Sequence, residues 1–430
     1  MSSKSAKSSA IHPLTHQRPR QASKSVRLLL LMLSGAALGA GGAQAYTAPS
    51  TNQITVQGNH FLKDGVAWVS KGFNFQGLLC PDQNLTTCES GMITSAQIMD
   101  AQGVNEFAAA QSWGADTARF LVSQAALDPD SAYYQSWYLP YITGWIRTAR
   151  SMGFVVVISM QWEPGSLETG WQQQLGTPSH PTSKAITVYS STVRAWQQVA
   201  PLFATDNGVM FEAFNEPSTS YTSTVSWAKA WSTWATNFQY VIQEIRSVGA
   251  NNVILLQGLQ TGHTFQNMPS PNGLIDPSNP TDPQFAYTVH PYEVVSTNKY
   301  TVESLTPTDF ATNFGNLSLT APVLISEVSG TWANSCEDGG PGVPATQAYM
   351  DGPQGIMNYA KTMGIGIPGA WGFDSYGTMV ANLTGTTSTW VPLDFSTFNG
   401  CYGVDSPVNA AGPGYDFQQY YLTGVIPTVK

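Results

Sequence analysis

Charge is scarce in this chain. Only 10% of its 430 residues are Asp, Glu, Lys or Arg, and the acidic ones outnumber the basic, 27 to 18. Too few basic residues remain for a stripe that would follow a nucleic-acid backbone, so nucleic acid is excluded as a partner. Cysteine is scarcer: Cys80, Cys88, Cys336 and Cys401, with no Cys-x-x-Cys and no histidine beside them. That spacing excludes a structural zinc site. No apolar run approaches the roughly 20 residues that a membrane span needs. No internal repeat recurs, and no Ser/Pro/Thr-rich linker marks off a second module.

The N-terminus concentrates what basic charge there is. Lys4, Lys7, Arg18, Arg20, Lys24 and Arg27 precede Leu28, with no acidic residue among them. Leu28–Leu33 is a short apolar core, and small residues lead from it to Ala43-Gln44-Ala45. This order is that of a secretory signal peptide with an A-x-A cleavage site. Residues 1–45 are therefore read as a signal, and 46–430 as a single domain. Cleavage leaves 12 basic and 27 acidic residues, a net charge of −15. The expected product is a monomer, extracellular or periplasmic, with no hold on a membrane. Export permits oxidation of the cysteines. Of the three pairings that four cysteines allow, Cys80–Cys88 makes a short loop clasp and Cys336–Cys401 a long-range staple.

Abundant Ser, Thr, Asn, Gln and aromatic residues take the place of charge. Such a surface suits a neutral, hydroxyl-rich ligand. The elements follow a regular order. Asn52–Leu62, a turn at Lys63-Asp64-Gly65 and Val66–Val69 read as a β-hairpin, because Asp-Gly favours the tight turn. Ser70–Phe75 is a first barrel strand. Predicted strands then alternate with helices: strands at Thr117–Val122, Phe154–Met160, Val209–Phe214, Asn252–Gln257, Phe285–His290, Ala321–Ser326 and Ile365–Phe373, and helices at Asn105–Trp113, Tyr133–Met152, Lys184–Phe203, Ser226–Val248, Thr346–Met363 and Asp416–Leu422. Eight such units predict an α/β fold, a (β/α)8 barrel with the hairpin plugging its bottom.

Chemistry gathers where the strands end. In Phe211-Glu212-Ala213-Phe214-Asn215-Glu216-Pro217 an apolar run meets a carboxylate beside an amide, and Pro217 stops the strand. A buried strand carries a Glu cheaply only at a tip that faces a cleft. Glu327 ends a similar strand, Ala321–Ser326. Two carboxylates facing each other from different strand ends suit glycoside hydrolysis, one as proton donor and one as nucleophile. Around them, Arg119 and Tyr292 are placed to reach Glu327, His290 to hold the acid, and Asn215 to bond a sugar 2-hydroxyl. Arg119 has a plainer alternative, neutralising Asp116 or Asp128. Glu163, in a loop, is a third carboxylate of lesser claim. Trp196, Trp227, Trp231 and Trp234 fall on predicted helices and suit helix–barrel packing. Trp162, Trp171, Trp332 and Trp390 fall in strand-end loops, where they either stack on a ligand or pack the loops. No metal-ligand set is present, and no cofactor is expected.

Asn215-Glu216-Pro217, His290-Pro291-Tyr292, Glu327 late on a strand, Arg119 early and Trp371 on the last strand together resemble glycoside hydrolase family 5, the large family of cellulases and mannanases. Lys71-Gly72-Phe73-Asn74 resembles that family's first strand, and the likeness runs from about residue 52 to the C-terminus. The resemblance implies that Glu216 is the acid/base and Glu327 the nucleophile of a retaining enzyme. It implies that Arg119, Asn215, His290 and Tyr292 support them, that Asn74 lies with the substrate-binding set, and that Trp371 is the floor on which a sugar stacks. One stretch departs. The family usually has a His after the third strand, where this chain has Gln161-Trp162, so Gln161 or Trp162 is expected to take over that sugar contact. The expected activity is an endo-β-1,4-glucanase acting on a β-linked polysaccharide or oligosaccharide. A β-mannanase, another β-glycanase or an exo-glucosidase is the alternative. A carbohydrate-binding barrel without activity would keep the aromatics and lose the two Glu.

Overall fold

The computed structural model describes residues 46–79, 90–131, 133–161, 191–217, 225–270, 272–292, 294–295, 302–303, 305–328, 347–374, 379–380, 390–394 and 412–427. The chain's hydrophobic periods become two main sheets of different character, besides one short two-stranded pair. The first is antiparallel and small: β1 (Ile54–Gln57), β2 (His60–Lys63) and β3 (Val66–Trp68) pair in sequence order. The expected single strand over Asn52–Leu62 thus breaks in two. Gly58 adopts φ +60°, a left-handed turn position that a residue without a side chain takes at no steric cost.

The second sheet is the barrel. Its strands are β4 (Lys71–Phe75), β5 (Thr117–Ser123), β6 (Val155–Gln161), β7 (Val209–Glu212), β8 (Ile254–Gln257) and β9 (Phe285–Val289), then, after the short antiparallel pair β10 (Val294–Val295) and β11 (Val302–Glu303), β12 (Val323–Ile325) and β13 (Ile367–Ala370). All neighbours in the order β12-β9-β8-β7-β6-β5-β4-β13 are parallel. Parallel bridges Leu324–Gly366 and Val328–Ala370 bring the two ends together. The result is the (β/α)8 barrel expected from the alternation. Helices Ser90–Ser112, Tyr138–Ser151, Ser191–Phe203, Trp227–Ser247, Gln347–Met363 and Gly414–Thr423 follow strands in turn. No helix among the described residues is long and apolar enough to cross a membrane.

Two apolar cores result from the strand period of two. Outward-facing residues such as Phe73, Phe120, Ile158, Phe211 and Ile254 pack under the helices. Trp196, Trp231 and Trp234, buried in helices, join that layer. Inward-facing Val157, Met210, Leu255, Ala286 and Leu324 form a separate cluster with Ile54, Val56 and Phe61 of the small sheet. The small sheet therefore plugs the N-terminal mouth, and Ile54 anchors it there by donating to the Asn207 carbonyl just before β7.

Candidate active site

One step up from the apolar plug, the inward positions turn polar. Arg119 on β5, Ser159 on β6, Glu212 on β7, Gln257 on β8 and Thr288 on β9 are all buried. Arg119 is the hub. Its Nε donates to Glu212 Oε2 at 2.8 Å, and its Nη1 donates to Asn74 Oδ1 at 2.6 Å and to Glu327 Oε2 at 3.1 Å. Its Nη2 donates to Ser159 Oγ at 2.9 Å and to Asn215 Oδ1 at 2.6 Å. The alternative partners are taken elsewhere: Asp116 pairs with Lys63 and Trp68, and Asp128 with Arg194.

Glu212 lies outside the set expected from the sequence. It is fully buried and accepts from Arg119 and from Thr288 Oγ1, the latter at 2.9 Å. Burial works against its charge, but the charge of Arg119, helped by side-chain hydrogen bonds, outweighs that and holds it below the usual carboxylate range. A signal was present, since a Glu inside the apolar run Val209–Phe214 needs a buried cation.

Above this layer the strand-end residues converge. Glu327 accepts from Arg119 and, at 3.0 Å, from the Tyr292 hydroxyl. His290 Nδ1 lies 2.8 Å from Glu216 Oε1, and its Nε2 lies 3.3 Å from Glu327 Oε2. One atom each of Glu216, His290 and Glu327 lies within 4.8 Å of the others. That spacing would also accept a cation, but each residue of the three is already engaged by a protein partner. Burial raises the Glu216 pKa to about 7, with His263 and Arg119 pulling it back. Burial raises Glu327 too, against Arg119 and the Tyr292 hydrogen bond. His290 is pushed down to about 4, also by burial, so its imidazole is neutral at neutral pH. A protonatable carboxyl beside a donor-clamped one can deliver a proton on one side of a bond and a carboxylate on the other.

The other expected residues divide. Asn215 is buried, with Oδ1 held by Arg119, which leaves its Nδ2 as the donor for a ligand. Asn74, expected among the substrate-binding residues, is buried, and its amide bonds Arg119 and the carbonyls of Gly369 and Ser326. It therefore positions Arg119. Trp371 follows β13 directly and keeps part of its surface, while its backbone N–H donates to the Val328 carbonyl at 2.7 Å. Gln161 ends β6, is buried, and its Oε1 has no hydrogen-bond partner among the described residues. Trp390 stacks on Phe373 with ring centroids 5.5 Å apart, so it packs a loop. Trp162, Glu163, Trp171, Trp332 and the cysteines Cys80, Cys88, Cys336 and Cys401 lie outside the described residues, as does the N-terminal stretch 1–45.

A parallel barrel with two glutamates at the C-terminal ends of its strands is the architecture of barrel glycosidases. Comparison with known proteins agrees. The profile of the cellulase family, glycosyl hydrolase family 5, matches residues 82–373, and the chain belongs to that family. No curated protein matches the chain. Among solved structures, a β-glucanase of Saccharophagus degradans in complex with cellotetraose is similar over 88% of this chain and 95% of that one, with 19% identity and a TM-score of 0.55. The catalytic domain of a Thermobifida fusca endoglucanase in complex with cellotetraose is similar over 87% of this chain and 98% of that one, with 14% identity and a TM-score of 0.50. A mannotriose complex of a Thermomonospora fusca β-mannanase, at 14% identity and a TM-score of 0.48, covers 86% of this chain and 94% of that one.

Proposed function

We propose that the protein is a retaining endo-β-1,4-glucanase. Glu327 attacks the anomeric carbon while Glu216 protonates the departing glycosidic oxygen. The glycosyl ester on Glu327 is then cleaved by water, which Glu216 deprotonates, and both carboxyls return to their starting states. The observation that carries this reading is the meeting of Glu216 and Glu327 around His290, with their nearest atoms within 4.8 Å. That separation favours a direct nucleophile over the wider gap of about 6.5–9.5 Å that holds a water in inverting enzymes. Their surroundings support the division of labour, since Glu327 has two donors from Arg119 and Tyr292 and Glu216 has the carboxyl raised to about 7.

Asn215 Nδ2 is assigned to the sugar 2-hydroxyl, Trp371 to stacking, and Gln161 with Trp162 to the contact a His makes elsewhere in the family. The glucan preference draws on the cellotetraose complexes of the two neighbours with the higher TM-scores. The signal-like N-terminus supports export, and export supports the pairs Cys80–Cys88 and Cys336–Cys401. Reducing-sugar release from carboxymethylcellulose, barley β-glucan, glucomannan and galactomannan tests the substrate. Release from the first two with falling viscosity is expected. Release confined to the mannans would move the assignment to a β-mannanase. For Glu327→Ala, azide on an activated aryl glycoside should yield the α-glycosyl azide, and a β-product would contradict the nucleophile role.

A further inference from the structure

We propose that Gln257 is a positioning residue that fixes the tautomer of His290 and thereby assigns the roles of the two glutamates. The inference rests on the reading of Glu216 as acid/base. Gln257 ends β8 and is fully buried. Its Oε1 accepts the backbone N–H of Glu216. An atom that faces an N–H is the carbonyl end of the amide, so Nε2 must be the other end. That Nε2 lies 2.5 Å from His290 Nε2 and 3.4 Å from Glu212 Oε1. An amide nitrogen only donates, so His290 Nε2 accepts and carries no proton. The single proton of the neutral imidazole sits on Nδ1 and is donated to Glu216 Oε1 at 2.8 Å.

Two consequences follow. With Oε1 engaged, the acid proton of Glu216 resides on Oε2, and the Nδ1 bond strengthens as that proton leaves. His290 also gives nothing to Glu327, although its Nε2 is only 3.3 Å from Oε2. Glu327 takes its donors from Arg119 and Tyr292 alone among the described residues. The opposite tautomer would reverse this. A proton on Nε2 would serve Glu327 and Ser326 Oγ, which lies 3.2 Å away. The Nδ1 lone pair would then draw the Glu216 proton onto Oε1, away from the substrate. The same amide holds the backbone. Glu216 has φ +49°, in the left-handed region that a non-glycine residue rarely enters. Gln257 Oε1 clasps its N–H there, and the Thr261 N–H bonds the next carbonyl, Pro217, at 3.3 Å. Among the described residues the charged and titratable groups around the imidazole are Glu216, Glu327, Glu212, Arg119, His263 and Tyr292.

The direct test is long-range proton–nitrogen NMR of the unmodified protein, with the His290 signals identified by their loss in His290→Asn. Protonated Nδ1 and bare Nε2 are expected, and the reverse tautomer would overturn the proposal whatever the variants do. The kinetic test compares leaving groups. Gln257→Met and Gln257→Glu should lose roughly 10–100-fold in kcat/KM on phenyl β-cellobioside, part of the 10²–10⁴ that a general acid contributes. They should lose little in the first turnover of 2,4-dinitrophenyl β-cellobioside, which leaves without a proton. Equal loss on both substrates would mean that Gln257 is only structural. Glu216→Gln is measured alongside. If that variant shows no leaving-group dependence, the acid assignment of Glu216 falls. If it does and the Gln257 variants do not, only the Gln257 proposal falls.

Discussion

Arg119 shows how much one residue organises. It is fully buried and bonds two carboxylates and two side-chain amides from three other strands and their ends. Buried charges are costly to strip of water and tolerable only when paired. Replacing Arg119 with Met would leave Glu212 without its cation inside the barrel. Such a loss costs about 3–5 kcal/mol. Arg119→Met should therefore lower the urea midpoint markedly and abolish activity. A midpoint near the parent value would show that the cluster does not stabilise the fold. The strand-tip glutamates were legible because Pro217 and the apolar runs before them advertise strand ends. Glu212 was not read, although two residues after inward Met210 it must face inward as well. Of the two carboxylate partners of Arg119, Glu327 was expected, and Glu212 was unreadable for a different reason. Asp116 and Asp128 are near it in sequence, whereas Glu212 is 93 residues away and meets it only through the barrel.

At the scale of elements, the closing strand is instructive. Gly and Pro in Ile365–Phe373 made its limits hard to place, because both are poor strand formers. The structure supplies the reason for the glycine. At Gly369 a β-carbon would overlap the Ser326 carbonyl and come 3.0 Å from Asn74 Nδ2. The barrel closes at this seam, where the Val328 N–H reaches the Gly369 carbonyl at 3.2 Å. Gly355 is the contrast, exposed on the helix Gln347–Met363 with open space around its β-position. Gly369→Ala should cost more than about 2 kcal/mol, as overpacking does, and displace Asn74 from Arg119. Gly355→Ala should stabilise by about 0.5–1 kcal/mol, because helical glycine wastes backbone entropy. Thermal unfolding of the two variants gives opposite signs if the seam argument holds. Equal small effects would refute it. Helix limits were the least legible feature. The helix Ser90–Ser112 begins well before the expected Asn105, since its early turns carry little periodicity to read.

For the molecule as a whole, buried acids set the response to pH. Burial raises Asp374 and Asp416 to about 6 and Glu216 to about 7. Glu106, buried with both oxygens unpartnered among the described residues, is also raised, by burial and by Asp374. A carboxyl with a raised folded pKa contributes stability below its unfolded value and loses it as pH climbs through the folded one. Asp374, Asp416 and Glu216 therefore lose stability from about pH 4 up to about pH 7, and Glu106 acts in the same direction. Asp276 and Glu212 are lowered, and their contribution is lost as pH falls through the acid range. His290, at about 4, loses stability as pH falls below its unfolded value. The melting temperature should peak at about pH 4–5 and fall by pH 7. A peak at pH 8 or above would contradict the burial of these acids.

Periodicity, turn residues and strand tips sufficed to read a parallel (β/α)8 barrel, its plugged lower mouth and the candidate pair Glu216 and Glu327, because those signals are local. The buried polar layer was not readable in the same way. That Glu212 neutralises Arg119, that Asn74 holds Arg119, and that Gln257 reaches both Glu216 and His290 are contacts between residues 33 to 93 positions apart. Period two says which of these side chains face inward. Which ones then meet depends on the stagger and closure of eight strands, and that belongs to the folded barrel.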